Sequence, residues 1–306
     1  MDINEIAQAL SDTLPPVVRW AGAVAKRLRH FDIAVTGKDS GNANTDALTL
    51  ADLSVQELLV AALRDGDPIL RTCRIDGEES TGDMSLFDET SELAITIDPI
   101  DGTKQYRDKS GDGYAIMVQL QSPEDVHYSL VFVPETGENG TWVEVIDGKI
   151  VCGEDDSSQT AKQVLASLPT LNQSRKTDSK KIYLIGFQHR DAECAQAVTD
   201  VGLQGFISDQ MPGSIYPLMA TGEFAGSLIH SPNIYDFPVS MQIARILGGD
   251  ALWVHNREPV NFHELWMDDR ATMLRLPGVV ACSDNPEVLD TLCELARDWS
   301  PIRYED

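Results

Sequence analysis

The chain is 306 residues long, with 49 acidic residues against 24 basic ones and a formal net charge of −25. That length supports a substantial core and two subdomains, and a hydrophobic content of 42% is ordinary for a globular protein. The charge repels nucleic-acid backbones and anionic membranes, which excludes a nucleic-acid polymer and a membrane as partners but leaves a small nucleotide held by metal ions.

In chain order, residues 3–13 and 16–31 are expected as two helices separated by Pro15-Pro16. Val17, Val18, Ala21, Val24, Ala25 and Leu28 recur at helical spacing and should face the core, with Lys26, Arg27 and Arg29 on a solvated face. The polar stretch 37–44 contains glycines and reads as a loop. A helix over 46–64 follows, with Leu50, Leu53, Leu58, Ala61 and Ala62 on its inner side. After a turn at 65–68, residues 69–75 read as a strand leading to Gly77-Glu78-Glu79-Ser80, and 81–91 as an acidic surface loop.

The stretch 93–106, LAITIDPIDGTKQY, organises the rest. A short β-branched run brings the chain to Asp98. Pro99 prevents the strand from continuing within a sheet and pushes Asp98 into an extended conformation. Asp101-Gly102 signals a turn, so two carboxylates sit three residues apart on a rigid corner. Gly102 permits close backbone approach to a ligand, and Thr103 adds a hydroxyl. Hard cations such as Mg²⁺ take oxygen ligands from a few carboxylates and a substrate phosphate, and a two-metal site needs carboxylates that bridge ions a few Å apart. Taken alone, the segment reads equally as a strand, a proline turn and two solvated aspartates.

Residues 114–121, 127–134 and 141–146 follow as strands with short turns, which suggests an antiparallel sheet. Asp108, Ser110, Asp112 and Gly113 imitate the first half of an EF-hand loop. The twelfth position is Gln119 and strands flank the segment, so calcium binding there is discounted. The polar stretch 155–180 marks a boundary between an N-terminal half, 1–180, and a C-terminal half, 181–306. The second half is expected as strand 181–187, helix 191–201, strand 205–208, helix 214–221 and strand 224–229. A helix from Asp236 to Leu247, closed by Gly248-Gly249, comes next, then strands 251–255 and 279–283 and a last helix 286–299. Asp236 suits either the dipole of that helix or a metal ion. The five cysteines form no C-x-x-C pair and read as buried free thiols in a reducing compartment. The acidic start Met1-Asp2-Ile3-Asn4-Glu5 is no signal peptide, and no stretch approaches the ~18 apolar residues of a membrane span, so a cytoplasmic protein is expected. No G-x-S-x-G, H-E-x-x-H or P-loop offers a competing chemistry.

Gly77-Glu78-Glu79, Asp98-Pro99-Ile100-Asp101-Gly102-Thr103 and the later Tyr235-Asp236 before Gly248-Gly249 form a set that resembles the inositol monophosphatase superfamily, the Mg²⁺-dependent, lithium-sensitive phosphomonoesterases. The resemblance runs from the region of Asp52 to Gly249. It implies an α/β (α+β) fold, a layered α-β-α-β-α sandwich of the inositol monophosphatase and fructose-1,6-bisphosphatase type, and two or three Mg²⁺ ions. By that resemblance Glu78, Asp98 and the Ile100 carbonyl hold one ion, and Asp98, Asp101 and Asp236 a second; part of a third site falls in 37–44. Thr103, with Glu78 and Asp52, would orient and help deprotonate the attacking water, and the Gly102 and Thr103 N–H groups would cradle the phosphate. Asp52, in Thr49-Leu50-Ala51-Asp52, loosely matches the family's Val-Thr-x-x-Asp and reads equally as an exposed helical aspartate.

Lys104 resembles the 3′(2′),5′-bisphosphate nucleotidase branch, where inositol monophosphatases carry a second threonine. That branch's Gly-Ser-x-x-Lys appears here as Gly213-Ser214-Ile215-Tyr216-Pro217, without the lysine, and Tyr235 and Pro238 replace the usual Trp and Ala. Lys104, Arg190, Ser214 and Tyr216 join Asp101, Gly102, Thr103 and Asp236 as candidate substrate contacts. The leading expectation is a bisphosphate nucleotidase-like phosphomonoesterase acting on a small phosphorylated metabolite. An inositol or sugar (bis)phosphatase and a non-catalytic regulatory relative are the alternatives. Members of the family are commonly dimeric, so a homodimer is also implied.

Overall fold

The computed structural model describes residues 2–31, 49–211 and 213–304. The loop expected at 37–44, with its share of a third metal site, and the first residues of the helix expected from Asp46 lie outside the described residues. In order the elements are α1 (Ile3–Arg29), α2 (Leu50–Asp65), β1 (Arg74–Gly77), β2 (Ala94–Asp101), α3 (Thr103–Asp108), β3 (Ala115–Gln121), β4 (Val126–Val133), β5 (Thr141–Ile146), β6 (Lys149–Glu154), α4 (Ala161–Ser167) and β7 (Lys181–Ile185). They continue with α5 (Asp191–Asp200), β8 (Gln204–Ile207), α6 (Ile215–Thr221), β9 (Gly226–His230), α7 (Pro238–Ile246), β10 (Asp250–Trp253), β11 (Trp266–Asp268), β12 (Met273–Arg275), β13 (Val279–Ser283) and α8 (Pro286–Ala296).

Two sheets carry the architecture. The first runs in sequence order from β1 to β6; β1 and β2 are parallel, and the rest pair antiparallel. The second has the order β10-β13-β9-β7-β8, with β7 parallel to both β8 and β9. Helices α1 and α2 cover one face of the first sheet, and α6 and α7 lie on its other face. Helix α7 also packs on β10 and β13, while α5 and α8 close the far face of the second sheet. The result is the expected α-β-α-β-α stack. In the central strands of the first sheet the period of two separates two interiors. Ile95, Ile97, Val118, Leu120 and Leu130 join the core beneath α1 and α2. On the opposite face, Met117 and Val131 join α6 and α7, beside the buried polar residues Thr96, Asp98, Gln119 and Ser129.

Several local expectations change. Residues 3–29 form one helix through Pro15 and Pro16. Each proline removes a helix donor, at a cost of about 3 kcal/mol. The apolar stripe Ile6, Leu10, Leu14, Val18, Ala21, Ala25 continues across the break and outweighs it. Arg29 is buried rather than solvated; it donates to the carbonyls of Tyr106 (3.1 Å) and Gly111 (2.6 Å) and pairs with Glu135. The inner face of α2 is Ala51, Asp52, Val55, Gln56, Leu59, Val60 and Leu63, not the one expected. Its polar members Asp52 and Gln56 masked the stripe. Residues 68–72 form a 3₁₀ turn capped by Asp67, so the strand there is only 74–77. The polar stretch taken as a boundary contains α4, and β6 and the β11–β12 hairpin add strands that the alternation did not reveal. Helix α7 starts at Pro238, so Asp236 stands just before it.

Candidate metal centre

Strand β2 does not end at Asp98. It runs on through Pro99 to Asp101, and its pairing with β3 breaks register between Asp98 and Asp101. Proline lacks the N–H that a regular ladder needs, so a bulge is where it fits. Beyond Asp98 the bulge turns the backbone; the Asp98 carboxylate accepts the Ile100 N–H at 3.1 Å. Gly102 has φ +81°, a left-handed conformation that glycine adopts without strain, and it caps α3. The turn expected at Asp101-Gly102 is present, but the strand end expected at Asp98 is not: the bulge carries β2 past the proline.

Glu78 reaches the same place because β1 lies parallel to β2, and its N–H donates to the Ile97 carbonyl at 3.0 Å. Gln56, which sequence reasoning missed, fixes this segment. Its amide accepts from Glu79 N (2.9 Å) and donates to the carbonyls of Glu79 and Thr81. A Cβ on Gly77 would meet the Gln56 amide at 2.8 Å, so the glycine makes room for it. Glu79 is correspondingly buried.

Asp236 comes from the C-terminal half. Gln119 and Gln121 on β3 donate to the carbonyls of Tyr235 (2.7 Å) and Ile234 (2.8 Å). The Asn233 side chain accepts from the N–H groups of Tyr235 and Asp236 and donates to the Asp236 carboxylate at 2.9 Å. The signal in the sequence was three strand residues, Thr96, Gln119 and Gln121, each polar in an apolar run.

Ligand oxygens of Asp98, Asp101 and Asp236 lie within 4.8 Å of one another. Glu78 joins through a hydrogen bond with Asp98. Among the described residues no Lys or Arg forms an ion pair with Asp98 or Asp101. Burial, then repulsion from Glu78 and the other aspartates, holds Asp98 well above the usual carboxylate range, and burial followed by the charge of Asp236 does the same to Asp101. Burial raises Asp236 to about 6, against the Asn233 hydrogen bond. Uncompensated buried carboxylates are costly, and divalent cations with oxygen preference relieve that cost. The donor set fits Mg²⁺.

Thr103 hangs beside the cluster. Its hydroxyl lies 2.8 Å from the Ile100 carbonyl and 3.1 Å from Asp52 Oδ1. Asp52 is not an exposed helical aspartate: it is 2% exposed, and its Oδ2 accepts from the N–H and the hydroxyl of Thr49, the N-cap of α2. Burial raises its pKa to about 6. Gly102, Lys104, Ser214 and Tyr216 line the cleft with the carboxylates. Lys104 pairs with Asp108 at 3.4 Å, and the buried Ser214 hydroxyl has no hydrogen-bond partner among the described residues. Arg190 does not line this cleft; it pairs with Glu193 and lines an adjoining cavity. Arg275 and Arg303, which the sequence did not single out, line the cleft.

Fold and cleft together define a class, layered α-β-α-β-α proteins with an acidic cleft lined from both sheets. The sequence profile of the inositol monophosphatase family matches residues 10–296, and the chain belongs to that family. It is a phosphoric monoester hydrolase by that membership, and the family is Mg²⁺-dependent. Among solved structures, CysQ from Bacteroides thetaiotaomicron is 17% identical, with a TM-score of 0.61 over 92% of this chain and 98% of its own. The extragenic suppressor protein SuhB from Bartonella henselae is 15% identical, with a TM-score of 0.64 over 95% of this chain and 100% of its own. An inositol monophosphatase from Anabaena is 16% identical, with a TM-score of 0.61 over 96% and 98%. No curated protein matches the sequence significantly. No helix among the described residues is long and apolar enough to cross a membrane.

Proposed function

We propose that this chain is a cytoplasmic, Mg²⁺-dependent phosphomonoesterase that hydrolyses a small phosphorylated metabolite of the 3′(2′),5′-bisphosphate nucleotide type. The observation that carries the reading is the approach of three carboxylates from two distant segments to within 4.8 Å, with no ion-pairing Lys or Arg for Asp98 or Asp101 among the described residues. Lys104 favours the nucleotide branch. Glu78, Asp98, the Ile100 carbonyl, Asp101 and Asp236 hold the ions. Bound Mg²⁺ supplies neutralisation of the phosphoryl oxygens and a more acidic water.

The remaining work falls to side chains of this chain. Thr103 accepts a hydrogen bond from the attacking water and passes its own hydroxyl proton toward Asp52. Asp52 is suited to receive it because burial raises its proton affinity to about 6. Glu78 holds the water from the other side. The Gly102 and Thr103 N–H groups, Ser214 and Tyr216 orient the phosphate and the alcohol it leaves. The halves 1–180 and 181–306 meet at this cleft, and the enzyme acts as a homodimer.

Phosphate release over a panel of esters, with Mg²⁺ and with EDTA, tests the reading. Turnover of adenosine 3′,5′-bisphosphate but not of inositol phosphate supports it. Preference for inositol or sugar phosphates would move the assignment to those branches, and silence on every ester by folded protein would favour a regulatory relative. Li⁺ should inhibit, as it does in this family; a flat Li⁺ titration would count against the ion arrangement.

A further inference from the structure

Arg29 ends α1 with its side chain turned inward, 9% exposed. A guanidinium carries five N–H donors in one plane, and five acceptors surround this one. Nε donates to the Tyr106 carbonyl at 3.1 Å, and Nη2 to the carbonyls of Gln105 (3.3 Å) and Gly111 (2.6 Å). Nη1 donates to the carboxylates of Asp112 (3.2 Å) and Glu135. The Tyr106 and Tyr114 ring centres lie 5.6 Å and 5.2 Å from the guanidinium carbon. Burying a charge is costly even when it is paired, and an apolar side chain would simply continue the buried stripe of α1. What the arginine adds is a grip on backbone.

That backbone belongs to the site. Helix α3 has six residues, too few to hold its shape in water unaided. Its last carbonyls lack helical donors and carry partial negative charge, which a guanidinium offsets. The Tyr106 N–H donates to the Gly102 carbonyl at 3.0 Å, so the end that Arg29 grips lies one turn from Thr103. A second tie joins the same two helices, from the Tyr106 hydroxyl to the Ala25 carbonyl at 2.7 Å.

Past α3 the chain runs through Gly111 and Asp112, both held by Arg29, to Gly113. There it packs on the C-terminal half, so closely that a Cβ on Gly113 would meet the Ser214 nitrogen at 2.6 Å. Gln105 adds a bond across the same joint, donating to the Ser208 carbonyl at 3.3 Å. Thr103, Gly113 and Ser214 all line the cleft, and Arg29 stands behind it. One side chain thus holds both the helix that carries Thr103 and the loop against which Ser214 rests.

We propose, resting on the phosphatase reading, that Arg29 is a positioning residue for the reaction. Through the Gln105, Tyr106 and Gly111 carbonyls it sets Thr103 against the carboxylates, and it acts on turnover without touching ion or ester.

Arg29→Lys keeps the charge and loses the planar fork. With Mg²⁺ and a turned-over ester, it should lower kcat about tenfold, because small misplacements of a reacting group are costly. KM and the Mg²⁺ half-saturation should stay within about twofold of the wild type. Beside Thr103→Val the same change should cost nothing further, since the group it positions is gone. An equal fold-loss of kcat in both backgrounds would mark Arg29 as merely structural and overturn the proposal, as would an unchanged kcat. If Arg29→Lys does not fold, Glu135→Gln loosens the same guanidinium from a partly exposed position and should show the same split, severalfold in size; no split there overturns the proposal too. Hydrogen exchange in EDTA needs no ester. Amides of 103–113 should exchange about tenfold faster in Arg29→Lys while those of α8 keep their wild-type rates. Unchanged exchange at 103–113 would overturn the proposal whatever the enzyme turns over. A wild type silent on every ester would instead sink the phosphatase reading, and a role in its reaction with it, even if exchange at 103–113 rises.

Discussion

At the scale of single residues, two side chains have behaviour that follows from their hydrogen bonds. Thr103 has one hydroxyl proton and two acceptors, the Ile100 carbonyl and Asp52. Thr103→Val keeps the volume and removes the proton relay. It should lower kcat by about 10²-fold while leaving Mg²⁺ affinity nearly intact. A valine variant with wild-type kcat, measured by phosphate release, would remove Thr103 from the mechanism. His230 is neutral: its Nε2 faces the Ser300 carbonyl at 3.1 Å and so carries the proton, which leaves Nδ1 to accept from Ser231. Burial, with the charge of Arg303 beside it, lowers its pKa to about 4. The folded value lies below the unfolded one, near 6.5, so the stability His230 contributes is present above pH ~6.5 and is lost as pH falls through about 4; the full loss is about 3 kcal/mol. Urea unfolding at pH 7 and pH 4.5 should show a smaller acid-linked loss in His230→Asn than in the wild type. Equal losses in the two proteins would contradict the neutral assignment.

At the scale of elements, the site depends on segments that hold backbone, not only on the carboxylates. Gln56 of α2 clamps the Glu78 segment, and Asn233 clamps the Asp236 segment. Gln56→Ala removes the side-chain hydrogen bonds that hold the Glu79 N–H and carbonyl in the interior. It should cost about 1–3 kcal/mol by denaturant unfolding and also weaken Mg²⁺ binding; a loss of stability with unchanged Mg²⁺ affinity would mean that the clamp does not position Glu78. The strands of the first sheet were legible in the sequence because both faces are buried and the runs are long. Asp98, Asp101 and Thr103 were legible because a proline and a glycine punctuate their turn. The inner face of α2 was not, because Asp52 and Gln56 occupy positions that a hydrophobic stripe would need. The unbroken α1 was not, because packing outweighs two prolines that would end an isolated helix.

At the scale of the whole molecule, the surplus of acid is a general surface property, whereas the carboxylates at the cleft are a local one. Four of them share one cleft, with Asp98 buried and the others half-buried, and their mutual repulsion weakens the metal-free fold. Cation binding should therefore stabilise the protein by mass action, about 2.7 kcal/mol at a hundredfold excess over Kd. Asp98→Asn keeps the acceptor for the Ile100 N–H and deletes one of the repelling charges. The direct test is the melting temperature of the wild type and Asp98→Asn, each in EDTA and in Mg²⁺. Mg²⁺ should raise the wild-type value by several degrees; Asp98→Asn should melt higher than the wild type in EDTA and gain nothing from Mg²⁺. A wild type indifferent to Mg²⁺, or a variant that still responds fully, would contradict a cation site built from these carboxylates.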